Sequence, residues 1–231
     1  MKIKHGMILA AGLGKRMNPI TLKTPKPLIQ IGNKNLLERA IELLIDHGVE
    51  EIAINVYQLA DQIKDFINQK KYKVKIIISD EQNSLLDTGG GVLQATRSFK
   101  EPFVVINPDT LWNKSYSNEL RVLEDLYFKQ KKSCLLLVNK NLSFDSSFKG
   151  DFNLNANIVS RDDSNEFIFT GLQILDQSVF NSIKDKIFSM NKIWDNLIKN
   201  KSLLGIQSKQ KFYHLNTKEM YDKISNLKIT D

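Results

Sequence analysis

The sequence predicts an α/β protein, a three-layer α/β/α arrangement around a mixed, mainly parallel central sheet. Two observations carry this. Short apolar runs of strand length alternate with helix-spaced runs through the first half of the chain. Glycines and polar residues interrupt the chain directly after two of the apolar runs, at Gly12 and at Asn107-Pro108-Asp109. Strands separated by helices pair in parallel through right-handed crossovers, with helices on both faces. Such sheets bind ligands outside the carboxyl ends of their strands.

The elements follow in order. Gly6 to Ala11 reads as a first strand ending in a glycine-rich turn. Leu36, Leu37, Ala40, Ile41, Leu43 and Leu44 keep helical spacing, with Gly48 where a C-cap belongs. Strands are expected at 51–56 and 74–78, with an amphipathic helix at 59–67 between them. A helix at 88–99 entered through glycines leads to a strand at 103–106, a helix at 120–128 and a strand opening at Cys134. From about Gly150 the pattern changes. Segments at 152–154, 157–160 and 167–175 read as antiparallel strands, followed by a helix near 191–199 and strands at 203–207 and 211–215. Thr217 is a plausible N-cap for a last helix. No linker or repeat interrupts the chain, so one domain over 1–231 is expected, with a first half at 1–140 and a second at 141–231.

Composition narrows the function classes. A hydrophobic fraction of 42% fits a packed core rather than a disordered chain. No apolar run reaches bilayer length, and the N-terminal run stops at Gly12, too soon for a secretory leader. The single cysteine, Cys134, lies in an apolar run and reads as a small core residue. A disulfide framework within the chain is excluded, and a reducing, cytoplasmic location is expected. The formal charge is +7, but arginine occurs only at 16, 39, 97, 121 and 161, and the lysines are dispersed. Dispersed lysine argues against a nucleic-acid or membrane partner and for modest attraction of phosphorylated ligands.

The strongest motif is Leu9-Ala10-Ala11-Gly12-Leu13-Gly14-Lys15-Arg16-Met17, followed by Thr24-Pro25-Lys26-Pro27-Leu28. Small residues after a strand let backbone N–H groups approach a phosphate chain. Arg16 adds a planar, permanently charged fork. Lys26 stands between two prolines that stiffen its backbone. The spacing fits neither the P-loop nor the dinucleotide fingerprint. The bland alternative is a tight turn in a solvated basic loop.

This motif resembles the signature of the sugar-1-phosphate nucleotidyltransferases, the NDP-sugar pyrophosphorylases. Further stretches match along nearly the whole chain. Leu86-Asp87-Thr88-Gly89-Gly90-Gly91 resembles the family's acidic-Thr-Gly-Gly loop, and Asn107-Pro108-Asp109 its Gly-Asp metal turn. Gly150-Asp151-Phe152 and Phe169-Thr170-Gly171-Leu172-Gln173 resemble its sugar-pocket strands. The length is similar to that of short N-acetylmuramate-1-phosphate uridylyltransferases and mannose-1-phosphate guanylyltransferases.

The resemblance implies a Rossmann-like fold of the nucleotide-diphospho-sugar transferase type. It implies transfer of a nucleoside monophosphate from an NTP to a sugar 1-phosphate, with release of pyrophosphate. UTP is the first donor to expect and GTP, with mannose 1-phosphate, the next. Such chemistry needs positioning and charge neutralisation more than a covalent nucleophile. Arg16 and Lys26 would be catalytic, Arg16 with Lys15 on the β and γ phosphates and Lys26 near the α-phosphate. Leu9, Ala10, Ala11, Gly12, Gly14, Lys15, Asp87, Thr88 and Gly89 would bind the nucleotide, and Asp151, Thr170 and Gly171 the sugar. Asp109 would hold Mg²⁺, with Mn²⁺ as an alternative, unless it only forms a turn after Pro108. The glycines at 89–91 either admit the ligand or make a flexible helix entry. A monomer or small homo-oligomer is expected.

Two departures stand out. Where the family carries a second metal-binding aspartate, in a Val-Asp-Val-Gly-Thr-like stretch, this chain has Tyr213-His214-Leu215-Asn216-Thr217. His214 takes the aspartate's place and Asn216 the glycine's, while Pro108 replaces the glycine before Asp109. Three accounts are open: His214 ligates a softer metal, Asp109 suffices with water and phosphate, or activity is weakened. The last leaves room for a silent regulatory binder, and a phosphocholine cytidylyltransferase-like enzyme is a further alternative. Trp112 and Trp194 read as packing residues, and His5 and His47 as solvated.

Overall fold

The computed structural model describes residues 2–81 and 84–227. The strands are β1 (His5–Leu9), β2 (Gln30–Ile31), β3 (Lys34–Asn35), β4 (Glu51–Val56), β5 (Lys75–Asp80), β6 (Phe103–Ile106), β7 (Cys134–Asn139), β8 (Asn153–Asn155), β9 (Ile158–Ser160), β10 (Phe167–Leu175) and β11 (Leu204–Ser208). The helices are α1 (Leu36–His47), α2 (Ala60–Lys70), α3 (Asp87–Ala95), α4 (Tyr116–Gln130), α5 (Met190–Lys199) and α6 (Lys218–Ser225).

Nine strands form one sheet in the order β5-β4-β1-β6-β10-β7-β11-β9-β8, and β2 pairs with β3 separately. β5, β4, β1 and β6 run parallel, as β-α-β alternation requires. β10 lies antiparallel between β6 and β7, and β11 is parallel to β7. A strand from the second half of the chain is thus inserted between two from the first. The sheet is mixed and mainly parallel, as expected.

Side-chain alternation along the strands builds the two outer layers. Ile8, Ile52, Ile54, Val104 and Ile106 face a core shared with α1, α2 and α4. Met7, Ala53, Phe103 and Val105 point the other way, onto α3 and α5. α1 begins at Asn35, whose side chain accepts the Glu38 N–H at 2.8 Å, and ends at Gly48 with φ of 101°. α6 begins at Thr217, whose Oγ1 accepts the Met220 N–H at 3.2 Å. It packs Met220 and Ile224 against Met17, Ile29 and Leu36, closing the sheet's carboxyl end.

Several details differ from the sequence reading. α3 stops at Ala95 rather than running to Phe99. Thr96 Oγ1 donates to the Val92 carbonyl at 2.7 Å, and Phe99 turns in to pack on Phe103. Residues 211–215 form no strand of the main sheet. Phe212 and His214 make isolated bridges to Ser143 and Thr110, which carries this stretch across the end of the sheet. His47 is not solvated, and His5 is only partly so. His5 stacks on Phe99 with centroids 4.6 Å apart. His47 Nε2 lies 3.2 Å from Glu124 Oε1, with both side chains buried.

Cys134 is buried, and burial pushes its thiol pKa up to about 12. Trp112 and Trp194 pack inside the molecule, their indole N–H groups donating to Asn107 O and Gln173 Oε1. No helix among the described residues is long and apolar enough to cross a membrane.

Candidate functional site

The carboxyl ends of β5, β4, β1 and β6 open into a cavity of about 360 Å³. Its first wall is the turn after β1. Leu9, Ala10, Ala11, Gly12, Gly14, Lys15 and Arg16 all line it. Gly14 has φ of 60°, and a Cβ there would come within 2.9 Å of Thr21 Cγ2 and 3.2 Å of Lys26 Cβ. Glycine is therefore needed at 14 both for its backbone conformation and for the close approach of the Lys26 segment. Thr21 Oγ1 donates to the Gly14 carbonyl at 3.0 Å and fixes this packing. Lys15 and Arg16 are exposed and have no acidic partner among the described residues.

Lys26 reaches across the cavity. It opens a single 3₁₀ turn between Pro25 and Pro27, and its Nζ lies 2.7 Å from Asp109 Oδ2. His214 Nε2 lies 3.1 Å from the same oxygen. Asp109 follows β6, and His214 is held beside it because Leu215 N donates to the Asp109 carbonyl at 2.7 Å. Burial raises the pKa of the Asp109 carboxyl, but Lys26 and then His214 outweigh it and hold the group well below the usual carboxylate range. Asp109 is therefore ionised, and Lys26 has its counter-ion before any ligand enters.

The opposite wall carries acceptors. Asp87 and Thr88 line the cavity, as do Asn55 and Glu81, neither of which the motif reading picked out. Asp87 adopts φ of 61°, and its Oδ1 accepts the Thr88 N–H at 2.6 Å. No cation pairs with its carboxylate among the described residues. The cavity is thus cationic at the 15–26 end and acceptor-rich at the 81–88 end. A ligand with phosphates at one end and hydrogen-bond donors at the other fits that polarity.

At the third side, polar atoms stand without partners. Eight buried side-chain atoms lack a hydrogen bond among the described residues, and three of them belong to residues that line this side: Asn107 Oδ1, Asp109 Oδ1 and Asn216 Oδ1. Buried polar groups are nearly always satisfied, so such a concentration marks a place where something else binds. Asn216 Nδ2 is spent on Asp145 Oδ2 at 3.2 Å, which fixes the amide's orientation.

Five residues expected at the site do not line the cavity. Gly89 is buried, and a Cβ there would meet the Phe188 ring at 2.4 Å. Its N–H and that of Gly90 donate to the Phe188 carbonyl at 2.9 and 3.1 Å, so these glycines admit a neighbouring segment of the chain. Thr170 Oγ1 donates to the Leu136 carbonyl at 2.8 Å. Gly171 has φ of 94° and gives room to Asn107. Asp151 Oδ2 accepts the Phe169 N–H at 2.9 Å. His214 is spent on Asp109 and backed by Phe212, stacked at 5.8 Å. These roles are supplied by contacts distant in sequence, which a linear motif does not reveal. The signal for Asn55 was present: it is an amide that interrupts the apolar run from Ile52 to Val56.

A hard divalent cation can be tested against this donor set. Asp109 Oδ1 is a buried, unpartnered carboxylate oxygen. No group of three His, Cys, Asp or Glu suited to a metal occurs among the described residues. One carboxylate fits a cation shared with substrate phosphates, not a cage built by the protein alone.

A family model described as Nucleotidyl transferase matches residues 5–142. An N-acetylmuramate alpha-1-phosphate uridylyltransferase of Caulobacter vibrioides is 28% identical over 92% of this chain and 91% of its own length. The protein of the same name from Neisseria meningitidis serogroup B is 33% identical over 77% of this chain and 78% of its own. The catalytic subunit beta of a Drosophila melanogaster mannose-1-phosphate guanylyltransferase is 36% identical, over 46% of this chain and 30% of its own. Among solved structures, a UDP-glucose pyrophosphorylase complexed with UDP-glucose superposes with a TM-score of 0.79, covering 97% of both chains at 22% identity. That likeness shows the nucleotide-diphospho-sugar transferase fold. With a family model spanning more than half of it and a relative above 30% identity over three-quarters of it, the chain belongs to the nucleotidyl transferase family.

Proposed function

We propose that this chain transfers a nucleoside monophosphate from an NTP to a sugar 1-phosphate, releasing pyrophosphate. The observation that carries the reading is the convergence of Lys15, Arg16 and Lys26 on one cavity whose far wall carries the Asp87 carboxylate with no cation beside it among the described residues. A nucleoside triphosphate has that polarity. UTP is the preferred donor and N-acetylmuramate 1-phosphate the preferred acceptor, because both relatives matched over most of their length are uridylyltransferases for that sugar. GTP with mannose 1-phosphate comes next, supported by a shorter match. These relatives are named as transferases, which does not favour a silent regulatory binder.

In this reading Lys15 and Arg16 hold the β and γ phosphates. Lys26 turns from Asp109 toward the α-phosphate and stabilises charge as it develops there. An oxygen of the sugar phosphate bonds to the α-phosphorus in line with the departing pyrophosphate, whose bridging P–O bond breaks. Asp109 Oδ1 would hold Mg²⁺, which would neutralise phosphate charge. The amide oxygens of Asn107 and Asn216 would accept hydrogen bonds from acceptor hydroxyls. The division of labour at residue 140, nucleotide first and sugar second, is proposed on the same basis.

Pyrophosphate release from UTP, GTP, CTP and ATP, each with N-acetylmuramate, mannose or glucose 1-phosphate, tests the proposal. Release that needs both substrates and is fastest with UTP and N-acetylmuramate 1-phosphate is expected. Release without a sugar phosphate, or none in any combination from folded protein, overturns it.

A further inference from the structure

Asn55 and Glu81 lie at the floor of the cavity, 2% and 3% exposed. Asn55 Oδ1 accepts the Ala10 N–H at 2.7 Å, at the start of the turn after β1. Asn55 Nδ2 donates to Glu81 Oε1 at 2.7 Å. Glu81 Oε2 accepts the Leu86 N–H at 2.9 Å, just before α3. One chain of three hydrogen bonds therefore runs beneath the cavity, from the Lys15–Arg16 turn through β4 to the loop that carries Asp87 and Thr88.

Two further observations set this chain apart from ordinary packing. Glu81 has no cationic partner among the described residues, and burying an unpaired carboxylate is unfavourable unless its hydrogen bonds serve something. Gly91, in α3, keeps the space open. A Cβ there would stand 2.7 Å from Asn55 Nδ2 and 2.9 Å from Glu81 Oε1. Glycine inside a helix weakens it, so the relay is kept at the expense of local helix stability.

We infer that Asn55 and Glu81 are positioning residues that fix the separation between the phosphate turn and the 84–88 loop. Both ends of the relay are main-chain N–H groups at opposite ends of the cavity, so a shift in either side chain moves the cations relative to the acceptor wall. The inference rests on the NTP reading above for the identity of the ligand, while the relay itself is independent of it. Glu81 acts here through its geometry and not by presenting charge to the ligand.

The pair can be inverted. In Asn55→Asp two acceptors face each other, and in Glu81→Gln two donors do. In the double variant, Asn55→Asp with Glu81→Gln, the new amide donates to the new carboxylate, Ala10 and Leu86 keep their acceptors, and net charge is unchanged. Each single variant is expected to lower kcat/KM for the NTP by about tenfold or more, as misplacement of reacting groups does. Hydrogen exchange at the Ala10 and Leu86 amides should accelerate together. The double variant is expected to restore both exchange protection and kcat/KM to within about threefold of the parent. A double variant that recovers protection but stays as slow as Glu81→Gln would mean that the Glu81 charge meets the ligand. Single variants that lose protection at full activity would mean a purely structural pair. Either result overturns the proposal. Calorimetric NTP binding by the same variants separates the two readings. A parent that binds NTP without turnover sinks the transfer reaction, and the relay is then judged by whether the singles weaken binding and the double restores it. A parent that binds no NTP overturns both.

Discussion

Lys26 Nζ and Asp109 Oδ2 lie 2.7 Å apart although 83 residues separate them in the chain. The contact joins the Pro-Lys-Pro segment to the turn after β6. It places a cation in the cavity without leaving it uncompensated. In the proposed reaction Lys26 would exchange one anionic partner for another as phosphates enter. We therefore expect Arg16→Ala and Lys26→Ala each to lower kcat/KM by far more than tenfold, about 2–4 kcal/mol of transition-state stabilisation. Circular dichroism should match the parent for both, with the thermal midpoint close to the parent's for Arg16→Ala and lower for Lys26→Ala, which takes the cation from Asp109. Near-normal rates in both variants would remove these residues from the mechanism.

The same pair fixes a pH dependence. The folded-state pKa of Asp109 is depressed, because Lys26 and His214 outweigh burial. Its stabilising contribution is therefore fully present above the unfolded carboxylate pKa, about 3.9, and is lost as pH falls below it. Lys26→Met should raise the Asp109 pKa. The stability difference between parent and variant should then shrink as pH is lowered through the variant's raised Asp109 pKa, where the variant's carboxyl takes up a proton and the parent's does not. Urea denaturation between neutral and acid pH measures this; a difference independent of pH would contradict it.

Two glycines distinguish packing from ligand approach. A Cβ at Gly90 would come within 2.3 Å of the Lys186 carbonyl oxygen. Gly90→Ala should destabilise the protein by about 1–3 kcal/mol despite alanine's better helix propensity. At Gly12 a Cβ meets nothing within 4 Å. Gly12→Ala should leave stability within about 0.5 kcal/mol of the parent while weakening NTP binding, since the turn would no longer admit phosphate so closely. Denaturant midpoints and calorimetry read the two effects separately.

Far from the cavity, Glu124 Oε1 accepts the Ile3 N–H at 2.6 Å and faces His47 Nε2 at 3.2 Å. Replacing it by leucine leaves the buried Ile3 N–H without an acceptor and takes away the carboxylate beside His47. Glu124→Leu should cost about 2–4 kcal/mol of stability with kcat unchanged in the folded fraction. Loss of activity at equal folding would imply a connection to the site.

The parallel half of the fold was legible because its strands are built on short apolar runs and its first helix keeps apolar spacing up to Gly48, signals local in sequence. The first wall of the cavity was legible for a similar reason: Gly12, Gly14, Lys15, Arg16 and Lys26 fall in one short stretch. The remainder depends on contacts between distant segments. Nothing near Gly89 and Gly90 in sequence announces that the 186–188 segment fills their missing side chains. Nothing in the 211–215 run reveals that it pairs with Thr110 instead of entering the sheet. Thr170 sits on β10 and Asp151 in the bend before β8, but their polar atoms are taken by Leu136 O and Phe169 N. A polar residue on a strand can serve the backbone or a ligand, and only the three-dimensional partner decides.

The most direct test of the central claim follows the α-phosphate itself. The protein is incubated with UTP labelled at the α-phosphorus and N-acetylmuramate 1-phosphate, with Mg²⁺ present, and the products are separated. Label that moves into a UDP-sugar, with one pyrophosphate released per label transferred and none without the sugar phosphate, is the expected result. Label that stays in UTP, or appears as UMP, would contradict the account.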